Sequence, residues 1–298
     1  MLQRDQWYTS TVPIYRALSI VIAIAVCFGA ILLREATSPS GSGYWPAVAA
    51  APGGGLYVAD EALAQLRLVH DGAPDTTVGS LPRGLYRGLA AQGSTLVLAT
   101  QNGLFLSRDG GSTWTLKVAR RFTAVAIHGD QVLAGAWNDS LWRSADRGVT
   151  WSKAAVPAGD TEFESVVITD RAQLAATLLG ILVSTDAGAT WAAASGVGDR
   201  VTALDGFEAG DWQGNLYRSA DGVAWQRSGR VPGGVWSLAG PIAGTTAGIF
   251  RDGQATGGLG GREVTRVISS PPRYYAIVAR GPVYVSDLGG SWHLSSER

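Results

Sequence analysis

Apolar and polar positions divide the chain into two unequal parts. The first is an uninterrupted apolar run, ALSIVIAIAVCFGAILL, which fills residues 17–33 without a charge. Extended to residues 14–34, this run is long enough to cross the hydrocarbon core of a bilayer as a helix. Arg4 and Arg16 lie on its N-terminal side, which favours a cytoplasmic N-terminus. We therefore predict a cytoplasmic segment at 1–13, a transmembrane helix at 14–34 and a Gly/Ser linker at 35–43. A cleaved signal peptide is the alternative.

Beyond the linker the apolar runs become short and regularly interrupted. FTAVAI, QVLAGA and SLWRS follow one another within residues 122–144, separated by the polar turns HGD and WND. Short runs bounded by turn residues are typical of β-strands in an antiparallel sheet. The sequence therefore predicts an all-β domain over residues 44–298.

A repeated octet sets the period of this domain. SRDGGSTW at 107–114, SADRGVTW at 144–151 and STDAGATW at 184–191 share the pattern S-x-D-x-G-x-T-W. SADGVAW at 219–225 is a shortened copy, and VSDLGGSW at 285–292 is a degenerate one. Around Asp71 and Asp252 only the turn of the octet is left. The seven central aspartates, from Asp71 through Asp109, Asp146, Asp186, Asp221 and Asp252 to Asp287, are 38, 37, 40, 35, 31 and 35 residues apart. Seven units of four short strands predict a seven-bladed β-propeller, with a solenoid as the alternative.

Each residue type in the octet has a structural task. An aspartate in a hairpin turn accepts hydrogen bonds from turn amides, and a following glycine supplies a positive φ. A tryptophan at the end can insert between neighbouring sheets and bury a large apolar area. We assign a structural role to the octet residues Asp109, Asp146, Asp186, Asp221, Asp287, Trp114, Trp151, Trp191, Trp225 and Trp292.

The octets resemble the Asp-box, or BNR, repeat. That repeat is found in sialidases, some endoglucanases, the sortilin ectodomain and the photosystem II assembly and stability factors. The resemblance implies a propeller with the boxes at the turns between the outer strands of each blade. It carries no implication of catalysis, because the box is an architectural element.

Composition excludes several other classes of function. The chain has 24 basic and 24 acidic residues, so it lacks the positive field that draws proteins onto nucleic acid. One cysteine and three scattered histidines cannot build a His/Cys zinc site, and no motif calls for a cofactor. We predict neither metal, nor cofactor, nor nucleic-acid partner.

Sialidase-like catalysis requires a constellation of residues that we do not find. Resemblance to sialidases would imply an R-[IV]-P motif before the first box and three substrate-binding arginines, and no R-[IV]-P occurs in the chain. Glu162 and Glu164 are the closest pair of glutamates, and on a strand they would share one face. Such a pair could act as acid and base, but a solvated or arginine-paired strand end is the simpler interpretation. We predict that the protein is not an enzyme.

Charged residues flank the first strand of each predicted blade. These strands begin at Tyr44, Tyr86, Phe122, Phe163, Val201, Val235 and Val264, and we expect each leading apolar residue to pack between sheets. The flanking side chains then face the central channel on the side opposite the boxes, in an arginine-rich ring. We predict that this ring binds a partner through Arg87, Arg120, Arg121, Glu162, Glu164, Arg200, Arg262 and Arg266. Simple solubilisation of the rim is the alternative.

The resemblance to the photosystem assembly factors extends over residues 44–298 and implies a platform that docks on a membrane complex. We expect an anchored, periplasmic or otherwise extracytoplasmic propeller that serves as an accessory subunit or assembly factor, with a photosynthetic reaction centre as the most specific candidate. A cell-surface hydrolase or lectin is the alternative, because Trp137, Trp212 and Trp236 could stack on sugar rings. A peptide or ligand sensor is a third interpretation.

Overall fold

The computed structural model describes residues 47–157, 162–279 and 281–295. The predicted cytoplasmic segment, transmembrane helix and linker, and Tyr44 with them, lie outside these residues. Among the described residues no helix has the length and apolar character needed to cross a membrane.

The described residues form β-strands, in seven sheets of four. Blade 1 comprises β1 (Val48–Ala50), β2 (Leu56–Asp60), β3 (Gln65–Val69) and β4 (Thr76–Ser80). Blade 2 comprises β5 (Tyr86–Gln92), β6 (Thr95–Thr100), β7 (Leu104–Ser107) and β8 (Thr115–Val118). Blade 3 comprises β9 (Phe122–His128), β10 (Gln131–Ala136), β11 (Leu141–Ser144) and β12 (Ser152–Lys153). Blade 4 comprises β13 (Phe163–Ile168), β14 (Gln173–Thr177), β15 (Gly180–Ser184) and β16 (Ala192–Ala193).

The remaining three blades follow the same order. Blade 5 comprises β17 (Val201–Asp205), β18 (Glu208–Asp211), β19 (Asn215–Ser219) and β20 (Trp225–Arg230). Blade 6 comprises β21 (Val235–Ala239), β22 (Ile242–Thr245), β23 (Gly248–Arg251) and β24 (Gln254–Ala255). Blade 7 comprises β25 (Val264–Ser270), β26 (Arg273–Val278), β27 (Val283–Ser286) and β28 (His293–Leu294).

Every blade is an antiparallel meander in which consecutive strands pair. The first strands contact one another in cyclic order, from β1 through β5, β9, β13, β17, β21 and β25 back to β1, and so surround the axis. The all-β, seven-bladed propeller predicted from the octet spacing is confirmed. Within the described residues each sheet is built from one contiguous stretch of chain.

Seven apolar clusters hold the ring together, one at each interface between blades. The leading residues of the first strands are buried as predicted: Tyr86, Phe122, Phe163, Val201, Val235 and Val264. Small residues on the preceding blade receive them. A Cβ added to Gly135 would lie 2.4 Å from Cβ of Phe163, so only glycine allows this close approach.

The octets form turns that are hydrogen-bonded as their residue types predict. In blade 2, Asp109 accepts hydrogen bonds from the Thr113 amide (2.9 Å) and hydroxyl (2.6 Å) and from the Ser107 hydroxyl (2.7 Å). The Trp114 indole donates to the carbonyl of Gly111, whose φ is +99°. Blades 3 and 4 repeat this network around Asp146 and Asp186.

The two irregular copies differ in their hydrogen bonds. Asp221 accepts from the amides of Val223 (2.9 Å) and Ala224 (3.2 Å), because its turn is one residue shorter. Asp287 accepts from the Arg273 guanidinium at 3.1 Å, and Trp292 donates to Thr256 instead of to its own turn. In this copy Val285 occupies the position that serine holds in the regular octets, and the neighbouring Ser286 accepts from the Gly289 amide at 2.8 Å.

Octet tryptophans lie where a blade meets the blade before it. Trp114, Trp151, Trp191, Trp225 and Trp292 belong to the clusters between blades 1 and 2, 2 and 3, 3 and 4, 4 and 5, and 6 and 7. The clusters between blades 5 and 6 and between blades 7 and 1 contain no tryptophan. Blades 6 and 1 are the ones whose octets are reduced to a turn.

Candidate functional site

The two faces of the ring carry different parts of each blade. In an antiparallel meander the residues that lead into the first strand lie beside the turn between the second and third strands. The octets follow the third strand and therefore lie at the opposite end. We call these the mouth face and the octet face. The predicted separation of the charged flanking residues from the octets follows from this topology.

A repeated irregularity directs side chains into the channel. In blades 2 to 7 the pairing of the first two strands shifts by one residue at the residue that follows the leading apolar one. Such a β-bulge re-aims the extra side chain. It places Arg87, Thr123, Glu164, Thr202 and Trp236 in the lining of the channel. In blade 7 the corresponding Thr265 is buried and Arg266, one position later, takes the place in the lining.

These side chains surround a cavity at the mouth of the channel, of about 270 Å³. Its lining comprises Arg87, Arg121, Thr123, Trp137, Glu164, Leu178, Arg200, Thr202, Trp212, Trp236 and Arg266. Four arginines and one glutamate give the lining an excess of three positive charges. An anionic ligand is therefore favoured over a cationic one.

Blades 3 and 5 contribute the same module to this cavity. The guanidinium of Arg121 lies 4.3 Å from the ring centre of Trp137, and that of Arg200 lies 5.2 Å from the ring centre of Trp212. In each pair the tryptophan amide donates to the arginine carbonyl, at 2.9 and 3.1 Å. Stacking on an indole holds a guanidinium flat and leaves its edge N–H groups free to meet a ligand.

Threonines fix these modules to the next blade. Thr123 donates from its hydroxyl to the carbonyl of Phe163 at 2.7 Å, and Thr202 donates to the carbonyl of Val235. Arg200 itself holds a left-handed backbone with φ of +54°. Such local strain concentrates at functional sites in proteins. The modules are thus positioned by the backbone conformation and by threonine hydrogen bonds to the backbone of the next blade.

Two tryptophans from adjacent blades close one side of the mouth. Trp212 and Trp236 meet edge to face with ring centres 4.7 Å apart. Trp236 donates its indole N–H to Glu263 at 3.0 Å, and Trp212 remains 40% exposed. The pair presents an apolar surface beside the arginines, a combination that suits a ligand with both an apolar body and a negative charge.

The deepest charged groups are perturbed by their surroundings. Burial raises the pKa of Glu164, and the neighbouring Glu162 raises it further, whereas Arg266 and Arg200 act in the opposite direction. Glu164 nevertheless retains solvent-exposed surface. Burial lowers the pKa of Arg266 to about 10, with Glu164 opposing the shift. Arg266 therefore remains charged at neutral pH.

Arg87 has a donor without an acceptor. Its buried Nε makes no hydrogen bond with any described residue. Buried polar groups are rarely left in this condition, because an unmet donor costs free energy. The Nε atom itself is closed to solvent, so a ligand in the cavity would meet other parts of the Arg87 side chain.

The structure brings together five of the eight residues that the sequence nominates for binding: Arg87, Arg121, Glu164, Arg200 and Arg266. Glu162 influences Glu164 without lining the cavity. Arg120 and Arg262, predicted in the ring, lie outside the lining. A hydrogen bond from Lys153 is the main cause that lowers the pKa of Asp139, and the charge of Arg120 lowers it slightly further. Arg262 donates to the Tyr284 hydroxyl at 3.1 Å. The repeated Arg-x-Thr sequence with a later tryptophan would have revealed the two modules.

The acidic groups around the cavity are sparse. Glu164 is the single carboxylate among the lining residues, and no group of metal-ligating side chains occurs in the described parts of the chain. Glycoside hydrolysis normally employs two carboxylates on opposite sides of the bond that is cleaved. The geometry suits binding by arginine and tryptophan.

Comparison with known proteins supports the fold. No protein-family model matches the chain, and the search of curated proteins gives no match. Among solved structures the chain is similar to the computationally designed Ika8 protein, with 14% identity, a TM-score of 0.61 and coverage of 85% of this chain and 87% of that one. It is also similar to YCF48 bound to a D1 peptide, with 17% identity, a TM-score of 0.53 and coverage of 71% and 81%.

A third neighbour is an enzyme. An ancestral GH74 enzyme matches with 14% identity and a TM-score of 0.62, over 86% of this chain but only 46% of its own length. The chain thus spans about half of that enzyme. Structural neighbours of this propeller include both a peptide-bound protein and a glycoside hydrolase.

Proposed function

We propose that the chain is a non-enzymatic docking protein whose mouth cavity holds an acidic segment of a membrane protein complex. The observation that supports it most directly is the lining of the mouth cavity, in which four arginines and one glutamate leave an excess of three positive charges. Bidentate contacts from the stacked guanidinium groups of Arg121 and Arg200 suit carboxylates. The likeness in fold to a propeller described with a bound peptide is consistent with this role.

We also propose how the protein is attached to the membrane and which complex it joins. The apolar stretch at 14–34 anchors the chain in the bilayer, and the propeller lies on the extracytoplasmic side as an accessory subunit or assembly factor. Anchoring raises the effective concentration of the mouth toward membrane-embedded partners. A photosynthetic reaction centre is the specific complex that we propose. Asp-box membership belongs to the same proposal, supported by the hydrogen bonds of the three regular octets.

Purification of the full-length tagged chain from native membranes in mild detergent tests this function. We expect the wild-type chain to recover a multi-subunit complex and the double variant Arg87→Gln with Arg200→Gln to lose it. The matched control is Arg120→Gln with Arg262→Gln, since these arginines lie outside the cavity lining. Recovery of the wild-type chain alone would contradict the proposal, and so would equal loss of the complex in both double variants.

A carbohydrate-active role is the second candidate, favoured by the exposed edge-to-face pair Trp212 and Trp236. Sugar rings stack on such indoles, and Arg200 beside them could bind an acidic sugar. A glycan array separates lectin from protein-docking activity. A hydrolysis assay that shows turnover by the wild type and its loss in Glu164→Gln would favour an enzyme over both.

A further inference from the structure

Blade 6 ends differently from the blades that carry a full octet. Its third and fourth strands, β23 and β24, are joined by Asp252 and Gly253 alone, with φ of +49° and +80°. Two residues with positive φ form the tight hairpin turn that suits twisted strands. This turn replaces the octet, so blade 6 has no octet tryptophan to place against blade 5 on the octet face.

Without an octet tryptophan in blade 6, the fourth strand of blade 5 is left uncovered at Gly229. Gly79, the equivalent residue of blade 1, shows the difference. Gly79 pairs with Leu66 in blade 1, and Gly229 pairs with Leu216 at the same position in blade 5. A Cβ at Gly79 would lie 2.5 Å from the carbonyl oxygen of Gly111, in the octet turn of blade 2. A Cβ at Gly229 would have only Cδ1 of Leu216 within 4 Å, at 3.9 Å. The next blade therefore covers Gly79 and leaves Gly229 open.

A cavity of about 230 Å³ occupies this place between blades 5 and 6. We call it the interblade slot. Leu216, Leu238 and Ala243 form its apolar wall, and Glu208, Arg218 and Asp252 form its charged rim. Leu216 holds the position that Leu66 holds in blade 1, where Trp114 packs against the same cluster. The slot is thus built from the wall that receives an indole elsewhere in the ring.

The interface between blades 7 and 1 also lacks an octet tryptophan, and residues of its own two blades pair across it. Asp71, from the corresponding turn of blade 1, reaches blade 7 and pairs with Arg273 at 3.3 Å and with His293 at 3.2 Å. Asp252 makes no such contact across its interface; its ion-pair partner is Arg251, its own neighbour, at 3.7 Å. The interface between blades 5 and 6 thus combines a missing octet tryptophan with a cavity at its place.

We propose that the interblade slot binds a tryptophan side chain of a partner polypeptide, next to a basic residue. The indole completes the interface that an octet tryptophan completes in other blades, and burial of an aromatic ring supplies the main stabilisation. The rim carries two carboxylates and one guanidinium, an excess of one negative charge, and Glu208 and Arg218 pair at 2.6 Å. Asp252 is 73% exposed and its contact with Arg251 is long, at 3.7 Å, so it can also attract a cation of the ligand. This site lies at the octet-face hairpins and is independent of the function proposed for the mouth.

Fluorinated indoles test the slot directly. The full-length chain, kept in one buffer and detergent, is titrated into 5-fluorotryptamine, and the 19F line width is recorded. We expect broadening by the wild type and by the control Gly260→Leu, whose position has no atom within 4 Å of an added Cβ. Gly229→Leu fills the slot, so the line should stay sharp. Equal broadening by the wild type and Gly229→Leu, or none by the wild type, overturns the proposal.

Two further measurements complete the test. Gly229→Leu should keep or raise the melting temperature, whereas Gly79→Leu should lower it; a Gly229→Leu chain that does not fold would show that the slot is not open and would overturn the proposal. 5-Fluoroindole-3-acetate should bind more weakly than 5-fluorotryptamine, because Asp252 repels its carboxylate. The opposite order would overturn the basic neighbour that we assign to the ligand.

Discussion

The interface between blades 3 and 4 and the interface between blades 5 and 6 use equivalent strands but are closed differently. Trp191 lies 8% exposed among Leu133, Phe163 and Leu182, and its indole donates to Gly188 at 3.2 Å. Between blades 5 and 6 the cluster contains Val231, Val235 and Phe250 and has no tryptophan. Apolar contact near the axis, together with the hydrogen bonds from Thr202 to Val235 and from Gly240 to Asp205, thus joins these two blades without an octet tryptophan. The tryptophan closes the outer part of the interface.

The interface between blades 7 and 1 shows a third arrangement. Tyr275 donates its hydroxyl to the carbonyl of Gly54, and Ser270 donates to the carbonyl of Gly55, each at 2.8 Å. The ion pairs of Asp71 lie outside them. Polar groups thus take over the task of the tryptophan at the place where the last blade meets the first.

Removal of an octet tryptophan is the strongest test of this comparison. Trp191→Ala should lower the free energy of unfolding by about 3–5 kcal/mol, because it empties a buried site and removes a hydrogen bond. Chemical denaturation measures the change. Trp212→Ala is the matched control, since its side chain is 40% exposed at the mouth and should contribute far less. Equal losses in the two variants would mean that Trp191 does not close the interface.

Loss of a hydrogen bond between blades 7 and 1 should lower the free energy of unfolding by less. Tyr275→Phe should lower the free energy of unfolding by about 1 kcal/mol, because it removes the bond to Gly54 while the ring stays buried. Tyr284→Phe in the same blade is the control, since the Tyr284 hydroxyl meets only the exposed guanidinium of Arg262. Thermal melting of both variants should place the larger decrease in Tyr275→Phe. A neutral Tyr275→Phe would contradict the assigned role of the hydroxyl.

The third and smallest expected effect is a dependence of the free energy of unfolding on pH, caused by the octet aspartates. Hydrogen bonds from the threonine hydroxyl, the threonine amide and the serine hydroxyl lower the pKa of Asp109 and Asp146 from 3.8 to about 2 and lower that of Asp186 as well. The unfolded chain therefore binds more protons than the folded one between about pH 4 and pH 2. Stability should be fully present above pH 4 and decline as the pH falls through this window.

Denaturation between pH 6 and pH 2 measures this decline. The triple variant Asp109→Asn, Asp146→Asn and Asp186→Asn keeps an acceptor oxygen in each turn but cannot titrate. It should show a shallower decline than the wild type in the same window. Identical slopes would indicate that other carboxylates govern the acid sensitivity of the propeller.

Sequence reasoning was most reliable where a residue type permits one local structure. The octet pattern predicts the turn hydrogen bonds of Asp109, the positive φ of Gly111 and the place of Trp114 between blades, because each depends on neighbours in sequence. The spacing of such octets then fixes the number of blades. The leading apolar residues of the first strands follow from the same period.

The site was predicted only in part, because its contacts join residues that are distant in sequence. The bulge that turns Arg87 and Glu164 into the channel depends on pairing with the second strand, and no local pattern specifies it. Arg262 shares the arginine-rich pattern but meets Tyr284 instead of the cavity. The contact between Trp212 and Trp236 joins two blades, and the interblade slot arises from a residue that is missing.

Each described sheet consists of one unbroken stretch of chain, with no strand exchanged between the first and last blades. A ring closed by side chains has no fixed opening point in its covalent order. Joining blade 7 to blade 1 and cutting the connection between two other blades should preserve every sheet, so this architecture should tolerate circular permutation. Gene duplication of one unit would likewise add an intact blade, which offers a simple route by which such a ring changes its size during evolution.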